Sequence, residues 1–217
     1  MVRIGKRGIC GYSLCVIEPD YRQRLAAYIA AEAKPPDKWS HQPRLYELAR
    51  ELAEEQPFDD DVLYAAAWMH DLGVFVGHRP EAVDQLAAWD HVAYAVAQVP
   101  DLLKEMGFPT HKIAAAVEAI RTHLPSSTPT TLEGRLIRDA DLLEQLGAIG
   151  ILRTVSKVGR DTRFVRLSDA LDVLKRNAER LPGLLQLPSA QRRATDRLAT
   201  LTTFLDAVAE EAAGRDL

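Results

Sequence analysis

Apolar residues recur three and four positions apart along almost the whole chain, the spacing expected when one face of a helix turns towards a core. Alanine and leucine carry much of this pattern, and aromatic residues make up only 6% of the chain, which favours helix over strand. The pattern therefore predicts an all-α fold. Eight helices are predicted, at residues 20–33, from about 40 onwards, and at 59–73, 81–106, 111–123, 131–157, 167–181 and 189–213.

The ends of the third predicted helix are the most clearly marked. The acidic run at 59–61 supplies negative charge that favours a helix N-terminus. Gly73 stands where a helix often ends with a residue in the left-handed conformation. These two ends place His70 and Asp71 in the last turn of the helix.

The chain has 217 residues, enough for one domain to bury about 70% of the surface that the unfolded chain exposes. We expect an N-terminal extension at 1–19, a core at 20–165, and a C-terminal helical pair at 166–217 packed on that core. No run of residues approaches the roughly 18 apolar positions of a membrane-spanning helix, so no membrane contact is expected.

Charge and cysteine content exclude several kinds of protein. The chain has 27 Lys and Arg against 31 Asp and Glu, a formal charge of −4, which gives no general attraction for the backbone of duplex nucleic acid. Cys10 and Cys15 are the only cysteines, with no second pair, so neither a disulfide framework nor a structural zinc site is indicated. A reducing compartment suits them, and the expected location is the cytoplasm.

Histidine is the first residue type that points to chemistry. Four of the six histidines fall within or at the end of four different predicted helices: His41, His70, His91 and His123. This distribution is typical of a site in the middle of a helical bundle, where facing helices direct side chains inwards. Taken singly, a histidine on a helix is more often an ordinary buried or exposed residue. The other two, His78 and His111, are expected at the surface.

His70 and Asp71 are neighbours, which restricts how they can cooperate. Successive residues on a helix point about 100° apart, so the two side chains cannot meet at one place from the middle of a helix. At a helix end this restriction is relaxed. There the histidine can offer a ring nitrogen while the carboxylate, with its two oxygens, can reach across and bridge two cations.

Three segments together resemble a known family. They are His41, the sequence WMHDLG at 68–73, and the sequence IRDADLLEQLGAIG at 137–150. Their order resembles the H…HD…D signature of the HD-domain superfamily of metal-dependent phosphohydrolases. The similarity extends over about residues 24–213, and the later segments also resemble those of a subgroup of small bacterial proteins. It implies a helical bundle with a metal site in its centre.

The resemblance also implies a set of metal ligands. Its four signature positions are occupied by His41, His70, Asp71 and Asp141. Asp139 competes for the last position, but it lies about 200° from Asp141 around a helix, so only one of them can face the metal, and the family pattern favours Asp141. Members that hold two metals use two further histidines, and His91 and His123 stand where those would be. The expected cofactor is one or two divalent ions of Mn, Fe, Co, Ni or Zn.

Anion-binding residues are expected near the metal. Arg44 lies three residues after His41, hence on the same helical face, and resembles the family's H-x-x-R arrangement; it is either a phosphate contact, with a catalytic role beside Asp71, or a plain surface arginine. The basic segment 152–166 forms either a lip for a polyanionic substrate or, the preferred interpretation, a solvated basic face. Leu142 and Glu144 depart from the subgroup pattern, in which an arginine and a different acidic residue are usual, so substrate choice could differ.

The resemblance implies a phosphohydrolase that acts on a nucleotide or related phosphorylated small molecule through metal-activated water. Whether it is a phosphomonoesterase, a phosphodiesterase or a pyrophosphohydrolase is left open, as is assembly into a homo-oligomer. Two alternatives remain: an oxygenase with a di-iron centre in the same ligand set, and a non-catalytic protein that binds a nucleotide.

Overall fold

A computed structural model describes residues 19–35, 38–161 and 163–217. Within those residues the fold is all-α, as predicted, with ten α-helices and short 3-10 helices between some of them. The α-helices are α1 (Tyr21–Glu32), α2 (His41–Ala53), α3 (Asp60–Met69), α4 (Val83–Ala87), α5 (His91–Glu105), α6 (Ile113–Arg121), α7 (Leu132–Leu143), α8 (Gly147–Val155), α9 (Leu167–Arg180) and α10 (Pro188–Ala212). The predicted extension at 1–19 lies almost wholly outside the described residues, as do Cys10 and Cys15.

The bundle is built around α3. Every residue of this helix from Val62 to Met69 is buried, and α3 packs against α1, α2, α5, α6 and α7. Its N-terminus is capped by Asp59, whose carboxylate accepts hydrogen bonds from the backbone N–H groups of Asp61 and Val62. A helix that is apolar on all sides must be enclosed by others, so whatever follows its C-terminus lies in the interior of the protein.

Two predicted helices are each divided in two. The span predicted at 81–106 becomes α4 and α5, because Asp90 caps a new helix by accepting from the N–H groups of Val92 and Ala93. The span predicted at 131–157 becomes α7 and α8. Gly147 begins α8 with a φ of +67°, and a Cβ atom there would lie 3.1 Å from the Cβ of Arg197.

The prediction for Gly73 was wrong. This glycine does not have a positive φ, and it lies within a 3-10 helix, Leu72–Val74, that follows α3. Its conformation is therefore not the reason for a glycine at this position. The reason is space, because the backbone of His91 passes where a Cβ atom would stand.

The two last helices pack on the rest of the bundle. α9 contacts α8, and α10 contacts α8, α7, α9 and α2. The segment before α10 is held by Asp139, whose buried Oδ2 accepts from the N–H groups of Gln186 and Leu187 at 2.8 and 2.7 Å. Among the described residues there is no helix with both the length and the apolar character needed to cross a bilayer. The cytoplasmic location stays a prediction.

Candidate metal centre

The H…HD…D residues come together at the C-terminal end of α3. His41 is the first residue of α2, and His70 and Asp71 directly follow the last residue of α3. His70 keeps helical angles, but Asp71 departs from them, with a φ of −97° and a ψ of +14°. This change lets the two neighbouring side chains converge, so that His70 Nε2 lies 3.6 Å from Asp71 Oδ2. The relaxed helix end expected from the sequence is present.

One set of ligand atoms, called group 1 here, comes from His41, His70 and Asp71, and these atoms all lie within 4.8 Å of one another. Asp141, on α7, adds a carboxylate oxygen 3.4 Å from His41 Nε2. The Nε2 atoms of His41 and His70 are buried and have no hydrogen-bond partner in the part of the chain that the structure describes. Buried polar atoms are rarely left without a partner, and a cation between these nitrogens and carboxylates would supply it. The residues therefore fit a divalent metal ion.

A second set, called group 2 here, comes from Asp71, His91 and His123, whose ligand atoms also lie within 4.8 Å of one another. His123 follows α6 and is buried, and His91 begins α5. The His123 ring lies 5.0 Å from that of His70 and 6.0 Å from that of His91, measured between centroids. Asp71 belongs to both groups, so the structure places a carboxylate between two candidate metal positions.

Backbone carbonyl groups fix the ring orientation of two of these histidines. His70 Nδ1 lies 3.0 Å from the carbonyl oxygen of Ala67, and His123 Nδ1 lies 2.6 Å from that of Ile120. A carbonyl oxygen only accepts, so each Nδ1 carries the proton and donates it. The lone pair of each ring is then on Nε2, as in metal sites whose histidines are oriented in this way. For His70 this is the atom that lies close to Asp71.

Glu144 is a buried carboxylate that the sequence analysis did not assign to the site. It lies three residues after Asp141, at the end of α7, and its Oε2 atom is 3.4 Å from His41 Nδ1. The same oxygen accepts from Arg44, with distances of 3.0 Å to Nη2 and 3.3 Å to Nε, and lies 3.5 Å from Arg153 Nη1. Its spacing from Asp141, about one helical turn, was the sequence feature that could have revealed it.

The protonation of these residues follows from burial and neighbouring charge. Burial lowers the pKa of His70 to about 4, so its ring is neutral near pH 7 and has a lone pair to offer. Burial alone would raise the pKa of Asp71, but the neighbouring rings of His70 and His41 hold it well below the usual range. Burial would likewise raise the pKa of Glu144, yet its hydrogen bonds lower it to about 2. Both carboxylates are therefore ionised.

Comparisons with known proteins agree with this geometry. The HD-domain family profile matches residues 39–146, the stretch that contains His41, His70, Asp71 and Asp141. A predicted HD superfamily hydrolase from an uncultured Thermotogales bacterium is 25% identical, with a TM-score of 0.62 over 88% of this chain and 93% of the other. This chain belongs to the HD-domain superfamily.

Bacillus subtilis YpgQ is another relative of this HD-domain protein. The sequences are 28% identical over 128 residues, which cover 56% of this chain and 57% of YpgQ, so the match spans little more than half of the relative's length. Its crystal structure superimposes with a TM-score of 0.69 at 18% identity, over 90% of this chain and 97% of YpgQ. A structure of YpgQ in complex with ADP gives a TM-score of 0.68 at 21% identity, over 90% and 100% of the two chains.

A cleft of about 650 Å³ opens onto the two ligand groups of the HD domain. Asp71, His91 and Asp141 lie at its surface. One set of lining residues is apolar: Val74, Val83, Leu86, Ala87 and Trp89. A second set is cationic: Lys38, Arg79, Arg153, Lys157 and Arg163. We call these the apolar set and the basic set. The cleft thus combines a candidate metal centre with surfaces for an anion and for an apolar group.

The basic set answers one question that the sequence left open. Three cations of the segment 152–166, namely Arg153, Lys157 and Arg163, line the cleft, so this segment is not simply a solvated face. Arg163 is paired with Asp161 at 2.8 Å, and Arg153 lies near Glu144. No ion pair involves the Lys157 ammonium among the described residues; it lies 5.4 Å from the centroid of the Phe164 ring.

Other candidate residues lie away from the ligand groups. Arg44 points at Glu144 and is not among the residues that line the cleft. Asp139 faces the segment before α10, on the side opposite to Asp141. His111 is exposed, as expected, but the prediction for His78 was wrong, because it is half-buried and bonded to Glu32 and Tyr94.

Proposed function

We propose that this HD-domain protein is a metal-dependent phosphohydrolase that acts on a nucleotide or a related phosphorylated small molecule. The observation that carries the proposal is that three candidate ligands, Asp71, His91 and Asp141, lie at the surface of a cleft lined by the basic set. Hydrolysis of a phosphate ester or anhydride requires neutralisation of its oxygens and generation of a nucleophile at neutral pH. The cations would neutralise the phosphate oxygens, and the ligand groups beside them would hold the metal needed to generate the nucleophile.

The proposed metal ligands are His41, His70, Asp71 and Asp141, with His91 and His123 completing group 2 if a second ion binds. A divalent cation held there would polarise the phosphoryl group and lower the pKa of a bound water. Asp71 supports the assignment of a metal centre because it belongs to both groups and could contact an ion in either of them. The metal would be Mn, Fe, Co, Ni or Zn, all of which accept histidine and carboxylate ligands.

The substrate assignment rests on the two sets of lining residues. The ammonium of Lys157, which has no ion pair with the described residues, and the guanidinium of Arg153 lie in the cleft and would attract phosphate oxygens. Trp89 and Leu86 offer an apolar surface to the remainder of a substrate such as a nucleoside. The complex of YpgQ with ADP supports a nucleotide as the ligand class, since the two folds superimpose over nearly their whole lengths.

The test is a panel of nucleoside mono-, di- and triphosphates and generic phosphodiesters, assayed for phosphate or pyrophosphate release with manganese and with cobalt. We expect at least one member to be cleaved by the metal-loaded protein. His41→Ala and Asp71→Ala should lose bound metal and activity while keeping their helical content. His111→Ala replaces an exposed histidine and should leave both unchanged. A fully metal-loaded protein that cleaves no member of the panel overturns the proposal.

A di-iron oxygenase is the alternative from another reaction class. It has one observation in its favour, because a shared carboxylate flanked by four histidines can also hold two irons. Iron content and oxygen consumption distinguish the two functions. A protein isolated with two irons, inactive on the panel but consuming oxygen with a candidate substrate, would favour the oxygenase.

A further inference from the structure

Glu144 connects the candidate metal centre to the basic set of the cleft. Its carboxylate is buried and lies between His41 on α2 and Arg153 on α8. We propose that Glu144 is a positioning residue with two tasks: it orients His41 for metal binding, and it holds Arg153 at the cleft until a substrate anion takes its place. The second task rests on the proposed function, while the first concerns the metal alone.

The first step concerns the orientation of His41. His70 and His123 each donate from Nδ1 to a backbone carbonyl three residues earlier. His41 is the first residue of α2 and has no preceding turn of its own helix to accept from Nδ1. Glu144 Oε2, at 3.4 Å, is the acceptor on that side. It thereby replaces the carbonyl that the other two histidines use, and directs the lone pair on Nε2 towards the metal groups.

The second step concerns how one oxygen serves three donors. All the contacts of Glu144 with His41, Arg44 and Arg153 are made by Oε2, and the Arg44 contact is the shortest. Arg44 does not line the cleft, so it can neutralise the buried carboxylate whatever the cleft contains. A buried carboxylate that lost its only cation would be strongly destabilised. Because Arg44 stays in place, Glu144 can release another partner without being left unpaired.

The third step identifies Arg153 as the partner that is released. Its contact with Glu144 is the longest of the three, at 3.5 Å, and its guanidinium lines the cleft. Lys157 lies one helical turn further along the chain and lines the same cleft. Phosphate oxygens accept paired N–H bonds from a guanidinium better than one shared carboxylate oxygen does. A bound anion would therefore draw Arg153 away from Glu144, while Glu144 would keep its contacts with Arg44 and His41.

Two binding measurements on the full-length protein test the proposal, and neither requires turnover. Manganese affinity is measured by calorimetry on metal-free protein, and affinity for inorganic phosphate is measured on manganese-loaded protein. Glu144→Gln should weaken manganese binding about 10- to 100-fold, the range seen when the partner of a ligating histidine is removed. Arg153→Met should leave manganese affinity within about threefold but weaken phosphate binding about tenfold.

Two further variants separate positioning from general structural damage. Glu144→Asp keeps the charge and should recover part of the manganese affinity lost in Glu144→Gln; it is also the replacement to use if the glutamine variant does not fold. Glu47→Gln changes an exposed glutamate of α2 and should alter neither affinity. Manganese affinity of Glu144→Gln within threefold of the unaltered protein overturns the orienting role. Unchanged phosphate affinity in Arg153→Met overturns the second task. Failure of the unaltered protein to bind any of manganese, iron, cobalt, nickel and zinc overturns the proposed function itself.

Discussion

The α-carbon of Gly73 packs directly against the backbone of His91, so closely that an added Cβ atom would lie 2.5 Å from the His91 carbonyl oxygen. Real Cβ atoms do not approach backbone atoms to this distance, so a side chain at residue 73 would force the start of α5 to move. Gly73 lies two residues after Asp71, and His91 belongs with Asp71 to group 2. This contact therefore sets the separation of two candidate ligands.

Gly73→Ala tests that separation. We expect the variant to fold, to bind metal at group 1, and to lose affinity for a second ion because His91 is displaced from Asp71. Metal titration followed by calorimetry measures the effect. Gly183→Ala is the matched control, since a Cβ atom there meets nothing within 4 Å. Equal second-ion affinity in both variants would contradict the expectation.

His91→Ala tests how many metal ions the protein binds. If two ions bind, His91→Ala should lose the ion of group 2 and keep that of group 1, whereas His41→Ala should lose the ion of group 1, because the two histidines belong to different ligand groups. Elemental analysis after extensive dialysis measures the stoichiometry. A value near one in the unaltered protein would remove His91 and His123 from the ligand set.

Lys157 should give substrate binding a distinctive pH dependence. Burial, assisted by the nearby charges of Lys38 and Arg153, lowers the pKa of Lys157 to about 8. Below that pH the ammonium is charged and attracts an anion; above it the charge is lost. We expect the KM of a phosphorylated substrate to rise above about pH 8, approaching about tenfold if one charge-assisted hydrogen bond is lost.

The matched control is Lys157→Arg, because a guanidinium stays charged through this range. Its KM should stay flat where that of the unaltered protein rises, and Lys157→Met should have a raised and equally flat KM. The same rise above pH 8 in all three proteins would assign the titration to another group.

Replacement of Asp139 should impair stability, whereas replacement of Asp141 should impair metal binding. Asp139→Ala leaves the backbone N–H groups of Gln186 and Leu187 without their acceptor and removes the carboxylate partner of the buried Arg138, which should lower the free energy of unfolding by about 3–5 kcal/mol. Asp141→Ala should lose metal affinity while unfolding of the metal-free protein changes little. Urea denaturation in the presence of a chelator measures the first effect, and metal titration measures the second. A stable Asp139→Ala variant would show that another group satisfies those amides.

Helix periodicity was enough to predict the fold class and most of the helices. It did not predict the break near residue 88, where Asp90 caps a new helix without interrupting the apolar spacing. It could not predict the break near residue 145, because that break depends on a contact with a residue far along the chain. Gly147 meets Arg197 of α10, fifty positions later. Local apolar spacing contains no information about such a neighbour, and it continues smoothly through both breaks.

Helix geometry, together with the motif, was also enough to predict the candidate ligands. Asp139 and Asp141 are separated by helix geometry alone, which correctly indicated that they face different ways. The contact of Glu144 with His41 was missed because the two residues are 103 positions apart in the sequence. The basic set was only partly foreseen, since Lys38 and Arg79 reach the cleft from segments that carry no motif.

Trp89 has a practical consequence. Its indole N–H donates to the carbonyl of Gly73 at 2.7 Å, and its ring also lines the cleft. The chain has three tryptophans, and the other two are the exposed Trp39 and the buried Trp68. Replacement of both by phenylalanine would leave one tryptophan, in contact with the segment that follows the HD pair. The emission of that single residue would then report metal loading and ligand entry in real time, without an added dye.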